Sequence, residues 1–129
     1  MALLDDIGTK LTTDGLVDGT TGWTLAKAYQ PDSPDTVVAL YEVGGQAPQT
    51  RVGMDHPEVQ VRVRGGAFGY AAAQTKIVAI KSALHTYSGT ISGTRYAWVK
   101  AVHSAPIPLG YDERNRPELA YTFQIGVSR

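Results

Sequence analysis

The segment from Glu58 to Arg64 constrains the fold most, because its residues alternate strictly between polar and apolar side chains. Valine occupies every second position: Val59, Val61 and Val63. A period of two places these valines on one face of a β-strand and the polar residues on the other. The valine face must be buried, so the sequence predicts a sheet with one covered face and one open face.

Two segments have the residue spacing of amphipathic helices, which could cover the apolar face of the sheet. In the segment from Tyr70 to Thr86, apolar residues form one stripe: Ala73, Ile77, Ile80 and Leu84. Residues 2–13 repeat the pattern with Leu3, Leu4, Ile7 and Leu11, and Gly15 follows as a helix stop. Spacings of three and four residues are typical of an amphipathic helix, so we predict two helices.

Further β-rich segments are predicted as strands at residues 24–29, 36–43, 95–104 and 119–127. Pro31 and Pro34 separate the first two, which predicts a turn and an antiparallel hairpin. Residues 44–57 and 105–117 are predicted as long loops, and Gly89 and Gly93 as bracketing a turn. The predicted order is α-β-β-β-α-β-β.

This order predicts an α+β fold: a mostly antiparallel sheet of about five strands with both helices packed on one face. The chain has 129 residues, which fits one domain over residues 1–129. It contains no cysteine, no apolar run of roughly 18–20 residues and no secretory signal pattern at its N-terminus. A soluble protein that is made and used in a cytoplasm is therefore expected.

Charge is unevenly placed although the net charge is zero. Acidic residues dominate residues 1–50, and arginine and lysine dominate residues 51–103. Segments of opposite sign suit head-to-tail self-association, in which unlike surfaces meet. The other explanation is that the two segments neutralise each other within one fold, and the sequence leaves both open.

The sequence lacks the residue patterns of an enzyme. His56, His85 and His103 are scattered, without the spacing of a metal site. The glycine-rich stretch from Gly65 to Gly69 lacks the lysine and hydroxyl residue of a phosphate-binding loop, and no G-x-S-x-G motif occurs. We therefore expect no catalytic residues, no metal and no cofactor. DNA-binding motifs are also missing, so sequence-specific DNA binding is not expected.

Several colinear motifs resemble a known family. They are Ala39–Gly45, Pro48, Pro57–Gly65, Tyr70–Ala73, Ile80–His85, Pro108–Glu113, and Arg116–Glu118 with the strand that follows. In this order and at these intervals they resemble the tail-terminator, or minor capsid, proteins of long-tailed bacteriophages. The resemblance covers most of residues 36–127.

The resemblance implies a non-enzymatic virion protein that is assembled in the host cytoplasm and has no membrane association. It implies a homo-oligomer, a hexameric ring at the head-proximal end of the tail tube, which stops tube polymerisation. The partners implied are the major tail tube protein and the head-completion or stopper protein, with DNA as non-specific cargo in the lumen. The alternatives are another head–tail joining protein, or a small-ligand-binding or enzymatic α+β domain with a polar pocket.

Candidate assembly-interface residues come from the two predicted loops and the alternating strand. The first loop contributes Arg51, Met54 and His56, the strand contributes Arg62 and Arg64, and the second loop contributes Tyr111, Arg114 and Arg116. Arginine and aromatic side chains are enriched at protein interfaces, which is the reason for these choices.

Overall fold

The computed structural model describes residues 3–18, 22–49 and 53–128. Within these residues it has two α-helices, α1 (Leu3–Thr13) and α2 (Tyr70–Leu84). It has nine β-strands: β1 (Thr24–Lys27), β2 (Val37–Glu42), β3 (Gln46–Gln49), β4 (Met54–His56), β5 (Glu58–Arg64), β6 (Gly89–Ile91), β7 (Thr94–Ala101), β8 (Ile107–Tyr111) and β9 (Pro117–Ser128). All nine belong to one sheet.

β9 is the central strand of this sheet. It pairs with β5 and β4 along one edge, and with β7 and β8 along the other. β2 and then β1 continue the sheet beyond β5, β3 continues it beyond β4, and β6 pairs with β7. Every pairing is antiparallel except that of β1 with β2.

The register of β5 against β9 assembles the core. Val59, Val61 and Val63 lie opposite Phe123, Tyr121 and Leu119, so large apolar side chains from both strands share one face. Both helices pack on this face, and their buried residues join the same core: Leu3, Ile7, Leu11, Ala73, Ile77, Ile80 and Leu84. The predicted α+β fold, with both helices on one face of a mostly antiparallel sheet, is confirmed.

The strand count was underestimated, since the sheet has nine strands rather than about five. β3 and β4 form a hairpin inside the predicted loop 44–57, and β8 lies inside the predicted loop 105–117. The predicted turn around Ile91 contains β6. These strands were not predicted because they are short. In addition, every residue of β8 is exposed, so its sequence lacks the alternation of apolar and polar residues that marks a half-buried strand.

The predicted antiparallel hairpin of the first two strands is wrong, because β1 and β2 are parallel. Thr24 pairs with Val37, so the segment 28–36 returns along the full length of β1 before β2 begins. Nine residues can span about 30 Å, which is ample for this return. The prolines were correctly interpreted as a change of direction, but the segment makes a crossover rather than a tight turn.

Candidate assembly surfaces

Arg116 is the centre of an ion cluster at the end of the sheet where β9 begins. The residue is only 4% exposed. Its Nε donates to Asp112 Oδ2 at 2.7 Å, and its Nη2 donates to Asp32 Oδ1 at 3.0 Å. Its Nη1 donates to Asp35 Oδ1 at 3.1 Å and to the Asp32 carbonyl at 2.6 Å. One guanidinium group therefore joins the crossover segment 28–36 to the turn between β8 and β9.

Arg64 lies beside this cluster and is also buried. Its Nε donates to the Asp35 carbonyl at 2.9 Å and its Nη2 to the Pro34 carbonyl at 2.7 Å. Burial lowers the pKa of Arg64, and the nearby charge of Arg116 lowers it further. Arg64 and Arg116 were predicted as interface residues, but their guanidinium groups are buried on acceptors of the same chain. The structure gives both an intramolecular role, and their part in an interface stays a prediction.

Asp112 shapes the turn that presents Arg116. Its Oδ1 accepts the backbone N–H groups of Arg114 and Arg116, both at 2.9 Å. Desolvation acts to raise the pKa of Asp112, but the hydrogen bonds from Arg116 and Arg114 outweigh it, so the pKa lies below its ordinary value. Arg114 is exposed and pairs with Asp32 at 3.0 Å, at the outer side of the cluster.

This lowered pKa predicts an acid-sensitive turn. A carboxylate whose pKa is depressed by folding adds stability above its unfolded pKa, and that stability is lost as the pH falls through the folded pKa. We expect the melting temperature of the wild type to fall below about pH 4, and that of Asp112→Asn to fall less steeply there. Thermal melts between about pH 5 and 2 measure this, and parallel slopes would contradict it.

A second surface, here called the aromatic shelf, consists of His56, Trp98 and Lys100 on the open face of the sheet. The imidazole of His56 stacks on the indole of Trp98 with ring centroids 5.6 Å apart and planes 26° apart. Nζ of Lys100 lies 5.3 Å from the indole centroid. A shallow cleft of about 330 Å³ adjoins the three side chains and is also lined by Gln46 and Gln124.

Gly126 makes room for the shelf. It lies opposite Trp98 in the sheet, and a Cβ atom on Gly126 would fall 2.4 Å from the indole ring. An aromatic ring laid over a glycine on the neighbouring strand fills the space that a side chain would occupy. The orientation of Trp98 therefore depends on the absence of a side chain at position 126.

We expect Gly126→Ala to displace Trp98 and to lower the free energy of unfolding by about 2 kcal/mol, because a side chain forced into a filled space costs roughly this much. Chemical denaturation measures the free energy, and near-ultraviolet circular dichroism reports the indole. Gly66→Ala is the matched control, since nothing lies within 4 Å of its Cβ position. Equal effects of the two substitutions would contradict the proposed role of Gly126.

The outer edge of β8 carries exposed apolar side chains. Ile107, Leu109 and Tyr111 are all exposed, and Phe68 beside them is 75% exposed. The rings of Phe68 and Tyr111 are 6.4 Å apart. Phe68 has a φ of 56°, and its backbone N–H donates to the Asn115 carbonyl at 2.8 Å. The turn that precedes α2 thus holds a phenyl ring out in solvent next to the ion cluster.

The other predicted interface residues are divided between these places. Met54 is half-buried in β4, and His56 belongs to the aromatic shelf. Arg62 lies on the open face of the sheet, with its guanidinium group 4.9 Å from the Tyr41 ring. Tyr111 and Arg114 lie at the opposite end, and Arg51 is outside the described residues. Their role in an interface stays a prediction.

Sequence reasoning missed Trp98, Lys100, Phe68 and Asp32 as members of these surfaces. Trp98 did leave a signal in the sequence, because it and Gly126 lie in two segments predicted as strands. A tryptophan that pairs with a glycine on the neighbouring strand can lay its ring over the space that a side chain would occupy. The contact of Asp32 with Arg116 left no signal in the sequence, because it joins positions 84 residues apart.

The charge pattern of the sequence is partly neutralised within the chain. Asp32 and Asp35 of the acidic first segment pair with Arg114 and Arg116, whereas Asp5 pairs with Lys27. In the basic middle segment, Arg62 and Lys100 lie against aromatic rings. The open face of the sheet therefore presents two cations that lie against aromatic rings, and Arg62 also donates a hydrogen bond to Gln60 Oε1 at 2.8 Å.

Metal binding and membrane spanning can also be examined in the described residues. Across residues 3–18, 22–49 and 53–128, no three histidine or acidic side chains are placed to hold a metal ion together. In the same part of the chain, neither helix has the length and apolar character needed to cross a membrane.

Comparison with known proteins places the chain among phage components. The sequence model of a family described as bacteriophage tail terminator protein matches residues 11–129. A solved structure of the virion of a native gene transfer agent particle contains a chain of similar fold, with a TM-score of 0.78 and 16% sequence identity. The similarity covers 99% of this chain and 96% of that chain. No curated protein matches the sequence.

Proposed function

Since the chain belongs to the bacteriophage tail terminator family, we propose that it forms a hexameric ring at the head-proximal end of the phage tail tube and stops tube polymerisation there. On this proposal the protein is a structural, non-enzymatic part of the virion. One side of the ring contacts the tail tube protein and the other contacts a head-completion protein, while DNA passes through the lumen as non-specific cargo. Assembly takes place in the host cytoplasm.

The family match over residues 11–129 is the observation that carries the proposal, because it includes the whole of α2 and the whole sheet. The fold shared with a chain of a gene transfer agent virion supports a role in a phage-like particle. The exposed Phe68, Leu109 and Tyr111 support assembly, because apolar patches on a small protein commonly mark contact surfaces.

The test is the mass of the purified protein by light scattering, alone and mixed with tail tube protein, together with tube lengths by electron microscopy. We expect a hexamer, alone or on tube ends, and tubes that stay short. A protein that remains monomeric and leaves tube growth unchanged would contradict the terminator role and favour another joining protein of the head–tail region.

A further inference from the structure

Two surfaces of opposite charge lie at opposite ends of β9. One is the ion cluster together with its neighbours, here called the acidic end: Asp32, Asp35, Asp112, Glu113 and Glu118 with Arg64, Arg114 and Arg116. Five acids against three arginines leave an excess of negative charge. The other surface is the aromatic shelf, which carries Lys100.

The charged groups of the acidic end differ in their exposure to solvent. The side chains of Asp32 and Asp35 are 69% and 56% exposed, and Glu113 is exposed as well. Two of the three arginines, Arg64 and Arg116, are buried. The solvent-facing groups of the acidic end are therefore mainly carboxylates, although Asp32 and Asp35 are also paired with Arg116 on their inner side.

The aromatic shelf is chemically complementary to such a surface. Lys100 is exposed, and the contact described for its ammonium group is with the Trp98 ring, which leaves its positive charge without the full neutralisation that a carboxylate would give. Arg62 adds a second cation on the same open face, and Glu58 adds one half-buried acid there. An indole beside a cation is a favourable docking place, since Trp and charged partners are frequent anchors of interfaces.

The two surfaces of one copy cannot touch each other. Tyr111 at the acidic end pairs with Pro117, whereas Lys100 pairs with Gln124. Seven residues of extended strand separate these positions by roughly 23 Å, at about 3.3 Å per residue. Complementary patches at opposite ends of a subunit join copies head to tail, which is the heterologous contact that builds a ring when its rotation closes.

We propose that the acidic end of one copy docks on the aromatic shelf of the next, with Glu113, Asp32 and Asp35 facing Lys100. Phe68 and Tyr111, which border the acidic end, supply the apolar part of the contact toward His56 and Trp98. This inference rests on the proposed ring and specifies the surfaces that form it.

Disulfide trapping tests the contact, because the chain contains no cysteine that would interfere. The double variant Glu113→Cys/Lys100→Cys is oxidised under assembly conditions, alone and with tail tube protein, and is separated on a non-reducing gel. Neighbouring copies that meet as proposed yield a ladder of trimers and larger covalent species up to the ring size. Each single variant has one thiol per copy, so it stops at dimers.

The matched control is Glu113→Cys/Val78→Cys, which places the second thiol on an exposed position of α2. We expect at least tenfold less trimer and larger species from this control than from the double variant. Equal ladders, or no ladder from Glu113→Cys/Lys100→Cys, would overturn the inference.

A second measurement tests the contribution of the Lys100 charge to assembly. Lys100→Glu is expected to raise the concentration needed for assembly at least tenfold at low salt, because like charges then face each other. Unchanged assembly of this variant also speaks against the contact. If the wild type forms oligomers but the double variant gives no ladder, this inference alone is contradicted. If the wild type never assembles, the proposed function itself is contradicted.

Discussion

Replacing Gly45 by alanine is expected to lower the free energy of unfolding by more than about 4 kcal/mol, which is at the severe end for a single substitution. Gly45 has a φ of 90°, and a Cβ atom there would lie 2.2 Å from the His56 carbonyl oxygen. It would also lie 2.7 Å from the Pro57 Cα atom. All these contacts are with backbone, so no side-chain rotation can relieve them. Chemical denaturation followed by far-ultraviolet circular dichroism measures the loss.

Gly44 provides a control that separates steric overlap from backbone strain. It has a similar φ of 84°, but nothing lies within 4 Å of its Cβ position. Gly44→Ala should therefore cost only the conformational penalty of the left-handed region, about 1–2 kcal/mol. A Gly45→Ala variant as stable as Gly44→Ala would show that the chain does not pass so close to residues 56–58.

Replacing Arg116 by methionine is expected to lower the free energy of unfolding by about 2–4 kcal/mol, because removing one partner of a buried ionic group leaves its acceptors unmatched. The side chain keeps its length but loses the hydrogen bonds to Asp112, Asp32 and Asp35. The crossover segment 28–36 should then detach first, and hydrogen exchange of the β1 and β2 amides would report it.

Arg114→Met is the matched control for this substitution. Arg114 contacts the same Asp32 from two positions earlier, but its side chain is 62% exposed. An exposed ion pair contributes under about 1 kcal/mol, so this variant should be near wild type. Similar losses for Arg114→Met and Arg116→Met would mean that the cluster acts through its overall charge rather than through the buried guanidinium group.

The core of the fold was predictable because the spacing of apolar residues along each segment indicates which face is buried. Alternation in β5 and the stripe of α2 each identify a buried face, so the α+β architecture and the side covered by helices followed from local sequence. β8 could not be found in this way, since all its residues are exposed and its pairing depends on β9. The crossover segment between the parallel strands β1 and β2 accepts hydrogen bonds from Arg64 and Arg116, which are distant in sequence.

The candidate surfaces were harder to predict than the fold. Arg114 and Arg116 are two residues apart and chemically identical, yet one is exposed and the other is buried in an ion cluster. The enrichment of arginine at protein interfaces makes both residues equally good candidates from the sequence. The difference arises from the turn at Asp112 and from partners more than 80 positions away, which spacing within the sequence does not reveal.

The central position of β9 also has a consequence for the order of folding. The four strands that it joins, β4, β5, β7 and β8, all precede it in the chain. Until β9 has been synthesised, the valine face of β5 lacks the strand whose Phe123, Tyr121 and Leu119 complete the core. Pairing between distant segments is slow to form, so the sheet closes late. A nascent or truncated chain without β9 would present neither of the two end surfaces in its folded arrangement, which would keep unfinished copies from joining finished ones.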